Sequence, residues 1–153
     1  MYEQVVQIYA EGLETGTATF ETKIPNWEAW DASHHNFGRI AILENEKMLG
    51  WATLSAVSKR AVYAGVAEVS IYVAQDSRGK GVGKKLLTAL ILESEKNNIW
   101  TLQAGIFKEN IASINLHLKC GFRKIGFREK VASRNGIWYD NVIMERRSKL
   151  IGI

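Results

Sequence analysis

Between Asp76 and Lys85 the sequence reads DSRGKGVGKK, with Gly79, Gly81 and Gly83 alternating among Arg78, Lys80, Val82, Lys84 and Lys85. Bare backbone and positive charge lead straight into LLTALILESEK, an amphipathic run. Such a loop suits an anion: glycine lets the chain approach a ligand closely, and a helix N-terminus adds unpaired N–H groups and a favourable dipole. Two known phosphate loops are excluded by spacing. A nucleotide-hydrolysing loop needs G-x-x-x-x-G-K-[ST], but Arg78 stands where its first glycine belongs and Lys85 follows Lys84, so no hydroxyl is placed for magnesium. A dinucleotide fingerprint needs G-x-G-x-x-G, and the three glycines are wrongly spaced for it. What remains is R-x-x-G-x-G, Arg78 to Gly83, between a strand and a helix. A pyrophosphate fits that geometry; the bland alternative is a flexible basic turn.

Two other side chains stand out. In VAEVSIYV, alternation places Glu68, Ser70 and Tyr72 on one strand face and Ala67, Val69, Ile71 and Val73 on the other. A carboxylate in mid-strand is unusual, because burying an unpaired charge is costly. A surface glutamate, or a partner of Arg60, is the competing reading. In NIASINLHLKCGF, helical spacing puts Asn110, Ser113 and His117 near one face and Ile111, Ile114 and Leu118 on another. A histidine can give or take a proton near neutrality, although one on a helix surface can equally just contact a ligand. His34 and His35 lack companions at metal-ligand spacing, so no metal site is expected.

These residues need elements to position them. EQVVQIYAEGLE reads as a helix, with Gly12 and Gly16 closing it, and NWEAWDASHH as a short second helix capped by Asn26. GRIAILE and MLGWATLSAV read as strands joined at Asn45 and Glu46, and AGVAEVSIYVA as the strongest strand. After the glycine loop comes a helix of about four turns, then the strand NIWTLQAGI and a helix ending at Gly121 in the left-handed conformation. FRKIGFREKVA and IWYDNVIMERR form a last hairpin around Asn135-Gly136. The order predicts a mixed α/β (α+β) fold with a largely antiparallel sheet flanked by helices.

A chain of 153 residues with 46 % apolar and 24 % charged content suits one domain, residues 1–153. No apolar run is long enough to span a membrane, and MYEQVVQIYAEG does not read as a secretory leader. A single cysteine, Cys120, excludes an internal disulfide framework and fits the reducing cytoplasm. A net charge of +4 admits nucleic acid as a partner, but no basic strand interleaved with aromatics or recognition-helix pattern supports it.

With those motifs in view, VSIYVAQDSRGKGVGKKLL resembles the acyl-coenzyme A motif of the GNAT N-acetyltransferases, and NIASINLHLKCGF that family's second signature. IYAEG, TATFET, AEVSIYV and NGIWYDNVIME are similar to its phosphinothricin and methionine sulfoximine acetyltransferase branch. The family's usual short strand before the first helix is not legible here, since Met1 stands almost on that helix. The resemblance implies the GNAT fold and direct transfer of an acetyl group from acetyl-coenzyme A to a small amino acid-like amine. It implies Glu68 as general base, through water, and His117 in the place of the tyrosine that protonates the departing thiolate. By the same resemblance the coenzyme is held by the backbone of Ile71, Tyr72 and Val73, by the loop from Arg78 through Gly79, Lys80, Gly81, Val82 and Gly83 to Lys84, and by Asn110 and Ser113. Thr17, Thr19, Phe20, Arg60 and Tyr63 fall in the branch's substrate region, an arginine fork suiting a carboxylate or phosphinate. A homodimer is implied as well. Other acceptors (a protein N-terminus, a polyamine, an aminoglycoside) and a non-catalytic acyl-coenzyme A or nucleic-acid-binding module remain the alternatives.

Overall fold

The computed structural model describes residues 1–16 and 23–153. Its strands are β1 (Ile40–Glu44), β2 (Lys47–Ala56), β3 (Val66–Val73), β4 (Thr101–Phe107), β5 (Arg123–Arg134) and β6 (Ile137–Arg147). They form one six-stranded sheet in the order β1-β2-β3-β4-β6-β5. Every neighbouring pair is antiparallel except β3 with β4. Four helices flank it: α1 (Tyr2–Thr15), α2 (Trp27–Ser33), α3 (Val82–Lys96) and α4 (Ile111–Lys119). The mixed α/β fold expected from the element order is the one observed. Met1 directly precedes α1, and β1 forms the sheet edge on that side.

Local chemistry explains the boundaries. Asn45 and Glu46 both have positive φ, as do Asn135 and Gly136, the signature of tight hairpin turns that match strand twist. The Asn26 side chain accepts a hydrogen bond from the Ala29 N–H at 2.8 Å and starts α2. Gly16, at φ 71°, closes α1. Gly12 does not close the helix; it is buried inside the last turns, its carbonyl accepting from the Thr15 hydroxyl.

The sheet is covered on both faces. On one, Leu86, Leu87, Leu90 and Ile91 of α3 pack on Leu54, Ala67, Leu102, Ala104 and Met144. On the other, Val5 and Ile8 of α1 and Trp30 of α2 pack on Met48, Trp51 and Ala74. Strand alternation assigns the faces: Ala67 and Val69 enter the α3 core, so Glu68, Ser70 and Tyr72 project toward α1 and α2.

One irregularity matters most. β2 pairs with β3 from Gly50–Val73 to Ala56–Ala67, and β6 pairs with β4 along its whole length. β3 and β4, however, pair only over Val66–Glu68 and Thr101–Gln103. Beyond Glu68 the two halves of the sheet part, and a wedge opens between them. The closed end of the wedge is clamped by Gly65, whose carbonyl accepts from the N–H groups of Trp100 and Thr101 at 2.8 and 3.0 Å. The Trp100 ring lies so close over Gly65 that a Cβ there would overlap it. Gly65→Ala should therefore cost about 1–3 kcal/mol, as overpacking does, in chemical denaturation; an unchanged midpoint would show that the clamp carries no load.

Candidate active site

The wedge holds a cavity of about 840 Å³. Glu68, Ser70, Ile71 and Tyr72 line it from β3, Gly105 and Phe107 from β4, and Asn110, Ser113 and His117 from α4. Tyr9, Trp30 and Trp51 wall it on the α1 and α2 side, and Asn141 enters from β6. The separation of β3 from β4 is thus what brings a strand carboxylate and a helix histidine, 49 positions apart in the sequence, into one space.

Glu68 is half-buried, and burial raises its carboxyl above the ordinary carboxylate range, with the positive charge of Arg128 pulling the other way. It makes no ion pair among the described residues. Room for it comes from Gly105: a Cβ there would lie 3.7 Å from Glu68 Oε1 and 3.0 Å from Asn141 Nδ2. Neither a surface glutamate nor a partner of Arg60 describes this residue.

His117 is 3 % exposed, well away from a helix-surface position. Its Nδ1 lies 2.7 Å from the carbonyl of Ser113, one turn back. A carbonyl only accepts, so Nδ1 carries the hydrogen and Nε2 bears the lone pair. Nε2 is buried without a hydrogen-bond partner, and the ring packs edge-on against Phe122 at 4.9 Å. Burial lowers the imidazole pKa, so the ring is neutral at pH 7. The resting ring is therefore an acceptor with no spare proton, which qualifies the donor role that the sequence resemblance implies. The Asn110 side chain caps α4 by accepting from the Ser113 N–H at 3.2 Å, and the residue also lines the cavity.

The glycine loop lies outside the cavity lining, at the N-terminus of α3. Gly79 and Gly81 have φ of 77° and 80°, and nothing stands where a side chain would be. Gly81 is the N-cap and offers no side chain to the helix; Lys85 N–H is the first to bond back, to the Gly81 carbonyl at 3.2 Å. The amides of Val82, Gly83 and Lys84 are left for another acceptor. Arg78, Lys80 and Lys84 are exposed beside them, and the nearby Asp76 carboxylate is held by Lys47. This arrangement fits a pyrophosphate. Gly83 has a different reason for being small, since a Cβ would meet Leu116 Cδ2 at 3.1 Å, so its absence lets α3 approach α4. The Val82 side chain is buried in the core, leaving only its backbone to face a ligand.

Other expected site residues are not brought together. Arg60 and Tyr63 are exposed on the short turn before β3, the guanidinium 5.5 Å above the Tyr63 ring. Neither lines the cavity. Val73 packs against the α3 core, beside rather than in the cavity lining. Thr17, Thr19 and Phe20 lie outside the described residues. Sequence reasoning in turn missed the aromatic wall. Trp51 lies 4.9 Å from Tyr72 and 5.8 Å from Trp30, centroid to centroid, and its Nε1 donates to the Val5 carbonyl at 3.2 Å. Phe107 stacks on Tyr139 at 5.2 Å. Alternation in MLGWATLSAV and IWYDNVIMERR was the available signal, since it sets Trp51 and Asn141 on the faces opposite the apolar core.

The arrangement can bind an extended ligand along the parted strands, anchor its anionic end on the α3 amides, and remove a proton beside it. Comparison with known proteins gives the same direction. Residues 8–143 match the acetyltransferase (GNAT) domain. The chain is 34 % identical to a phosphinothricin N-acetyltransferase of Alcaligenes faecalis, over 93 % of this chain and 75 % of that protein. It is 31 % identical to an L-methionine sulfoximine/L-methionine sulfone acetyltransferase of Pseudomonas paraeruginosa, over 92 % of this chain and 86 % of that one. A GNAT superfamily phosphinothricin acetyltransferase from Sinorhizobium meliloti, solved in complex with AcCoA, superposes with a TM-score of 0.84 at 27 % identity, covering 95 % of this chain and 82 % of that structure. Fold, glycine loop and family match agree: the chain belongs to the GNAT acetyltransferases and is an acetyl-coenzyme A-dependent N-acetyltransferase.

Proposed function

We propose that the chain transfers the acetyl group of acetyl-coenzyme A to the amine of a small amino acid-like acceptor of the phosphinothricin, methionine sulfoximine or methionine sulfone type. The observation that carries this reading is Glu68, an unpaired, half-buried carboxylate standing where β3 and β4 part. The names of the relatives supply the acceptor class.

The chemistry needs a neutral amine, and an amino acid's α-ammonium is mostly protonated at pH 7. Glu68 takes the surplus proton, directly or through water. The nitrogen then attacks the thioester carbonyl, the N–C bond forms, the C–S bond breaks, and the proton that the nitrogen sheds on becoming an amide ends on the departing thiolate. His117, with its lone pair on Nε2, gives a proton only after receiving one, so it serves as an acceptor within the proton path. The backbone of Ile71, Tyr72 and Val73, on the edge of β3 that β4 has left, orients the pantetheine arm. Arg78, Gly79, Lys80, Gly81 and the amides of Val82, Gly83 and Lys84 hold the pyrophosphate. Asn110 and Ser113 border the thioester end.

We also infer a cytoplasmic homodimer. No described helix is long and apolar enough to cross a membrane. Phe127, Ile137 and Trp138 are each more than half exposed on the terminal hairpin, the kind of apolar surface a second copy covers. Light scattering after size exclusion should give twice the chain mass of 17.2 kDa; a monomer across the working concentration range would contradict the dimer.

Glu68→Gln should lower kcat by about 10²- to 10⁴-fold, the usual contribution of a general base, with little change in KM for acetyl-coenzyme A. The same variant should gain stability at neutral pH. A carboxyl whose pKa is raised by folding is stabilising while protonated, below its unfolded pKa, and loses that contribution as pH rises through the folded value. Against an uncharged glutamine, wild type should therefore melt lower at pH 7 and approach the variant in acid. Unchanged turnover would remove Glu68 from the mechanism, and unchanged melting would contradict its desolvation.

A further inference from the structure

The acceptor class fixes what its binding site must provide. An α-amino acid carries ammonium and carboxylate on one carbon, so its seat needs an acid and a base side by side yet not joined to each other. Glu68 and Arg128 have that relation. The charge of Arg128 acts on Glu68, but no ion pair joins them among the described residues.

Three observations set Arg128 beside the cavity, exposed and just outside its lining. In the β5–β6 pair it stands directly opposite Asn141, and opposed residues of an antiparallel pair project from the same face. Asn141 lines the cavity, and its Nδ2 and Glu68 Oε1 both lie within 4 Å of the point where a Cβ on Gly105 would sit. Arg128, Asn141 and Glu68 thus share a face, with a bare glycine between the last two. The Asn141 Oδ1 is buried and accepts no hydrogen bond, which leaves its amide hydrogens as the polar group beside Gly105. The strand register shifts immediately after Arg128, with Lys130 at φ 46°, so the chain bends away at this point.

Several neighbouring cations are already engaged, although Lys124 and Lys130 are not ion-paired among the described residues. Arg123 pairs with Glu145, Lys108 with Asp140, Arg146 with Glu95, and Arg134 donates to the Leu13 carbonyl at 2.8 Å. Among the described residues Arg128 has no such partner. Arg60, the arginine that the sequence pattern favours, lies outside the cavity lining as Arg128 does, but it is stacked on Tyr63 and, unlike Arg128, its charge does not act on Glu68.

We infer that Arg128, assisted by the Asn141 amide, holds the acceptor's carboxylate while Glu68 faces its amine, which makes Arg128 the residue that selects amino acids over simple amines. This rests on the acetyl-transfer reading above. A guanidinium fork and an amide N–H₂ both donate to carboxylate oxygens, and the bare face of Gly105 leaves room for the acceptor's α-carbon between the charged groups.

Steady-state thiol release tests it with two acceptors, methionine sulfone and 3-(methylsulfonyl)propan-1-amine, which has the same side chain and no carboxylate. Arg128→Gln should raise KM for methionine sulfone by about tenfold to a hundredfold, the range of a hydrogen bond to a charged group. The variant's kcat/KM for the simple amine and its KM for acetyl-coenzyme A should stay within about twofold, the shift of an uninvolved surface residue. Arg128→Lys, which keeps the charge without the fork, should fall between. An unchanged KM for methionine sulfone, or equal losses on both acceptors, would overturn the assignment while leaving acetyl transfer intact. Wild-type turnover of the amine alone, or of neither compound, would overturn the acceptor reading and this inference together.

Discussion

The structure depends on one departure from regular pairing: β3 leaves β4 after Glu68. A sheet that stayed zipped would satisfy more backbone groups, since each unpaired N–H or C=O in a dry interior is costly. Here the cost is confined to one place, because β2 and β6 hold the outer edges of the two parted strands throughout. Gly65 and Trp100 close the paired end. The result is a rigid wedge whose walls are well-packed sheet on both sides, with one strand edge turned to the opening.

Most of the site follows from that wedge. It makes Glu68 a half-buried carboxylate rather than a cross-strand neighbour, and it admits His117 from α4 between the parted strands. It also aligns the open edge of β3 with the amide-rich N-terminus of α3, so an extended molecule with an anionic tail meets backbone along its length. Burial raises Glu68, which makes it a stronger base, and lowers His117, which keeps its ring neutral. Desolvation of a carboxylate at this place opposes folding at neutral pH.

Much of this was legible in the chain. Asn135-Gly136 announced the last hairpin, alternation in VAEVSIYV separated Glu68 from the core residues, and the glycine spacing marked the loop that opens α3. The wedge was not legible, because no residue type marks where a parallel pair stops. Arg60 falls outside the cavity lining for a related reason. Its short distance from Glu68 in sequence does not survive the turn at Ala61–Tyr63, which leaves it stacked on Tyr63 in solvent. Arg128 and Asn141 were hidden because their opposition depends on a register shifted by an irregularity between Arg128 and Ala132, which local sequence does not specify.

A crystal structure with coenzyme A bound is the most direct test of the wedge as the coenzyme's seat. The pantetheine arm should lie along β3 with its amides paired to the backbone of Ile71 to Val73, its sulfur between Glu68 and His117, and its pyrophosphate on the amides of Gly79 to Lys84. A coenzyme bound elsewhere, or β3 and β4 found paired along their length, would contradict the account.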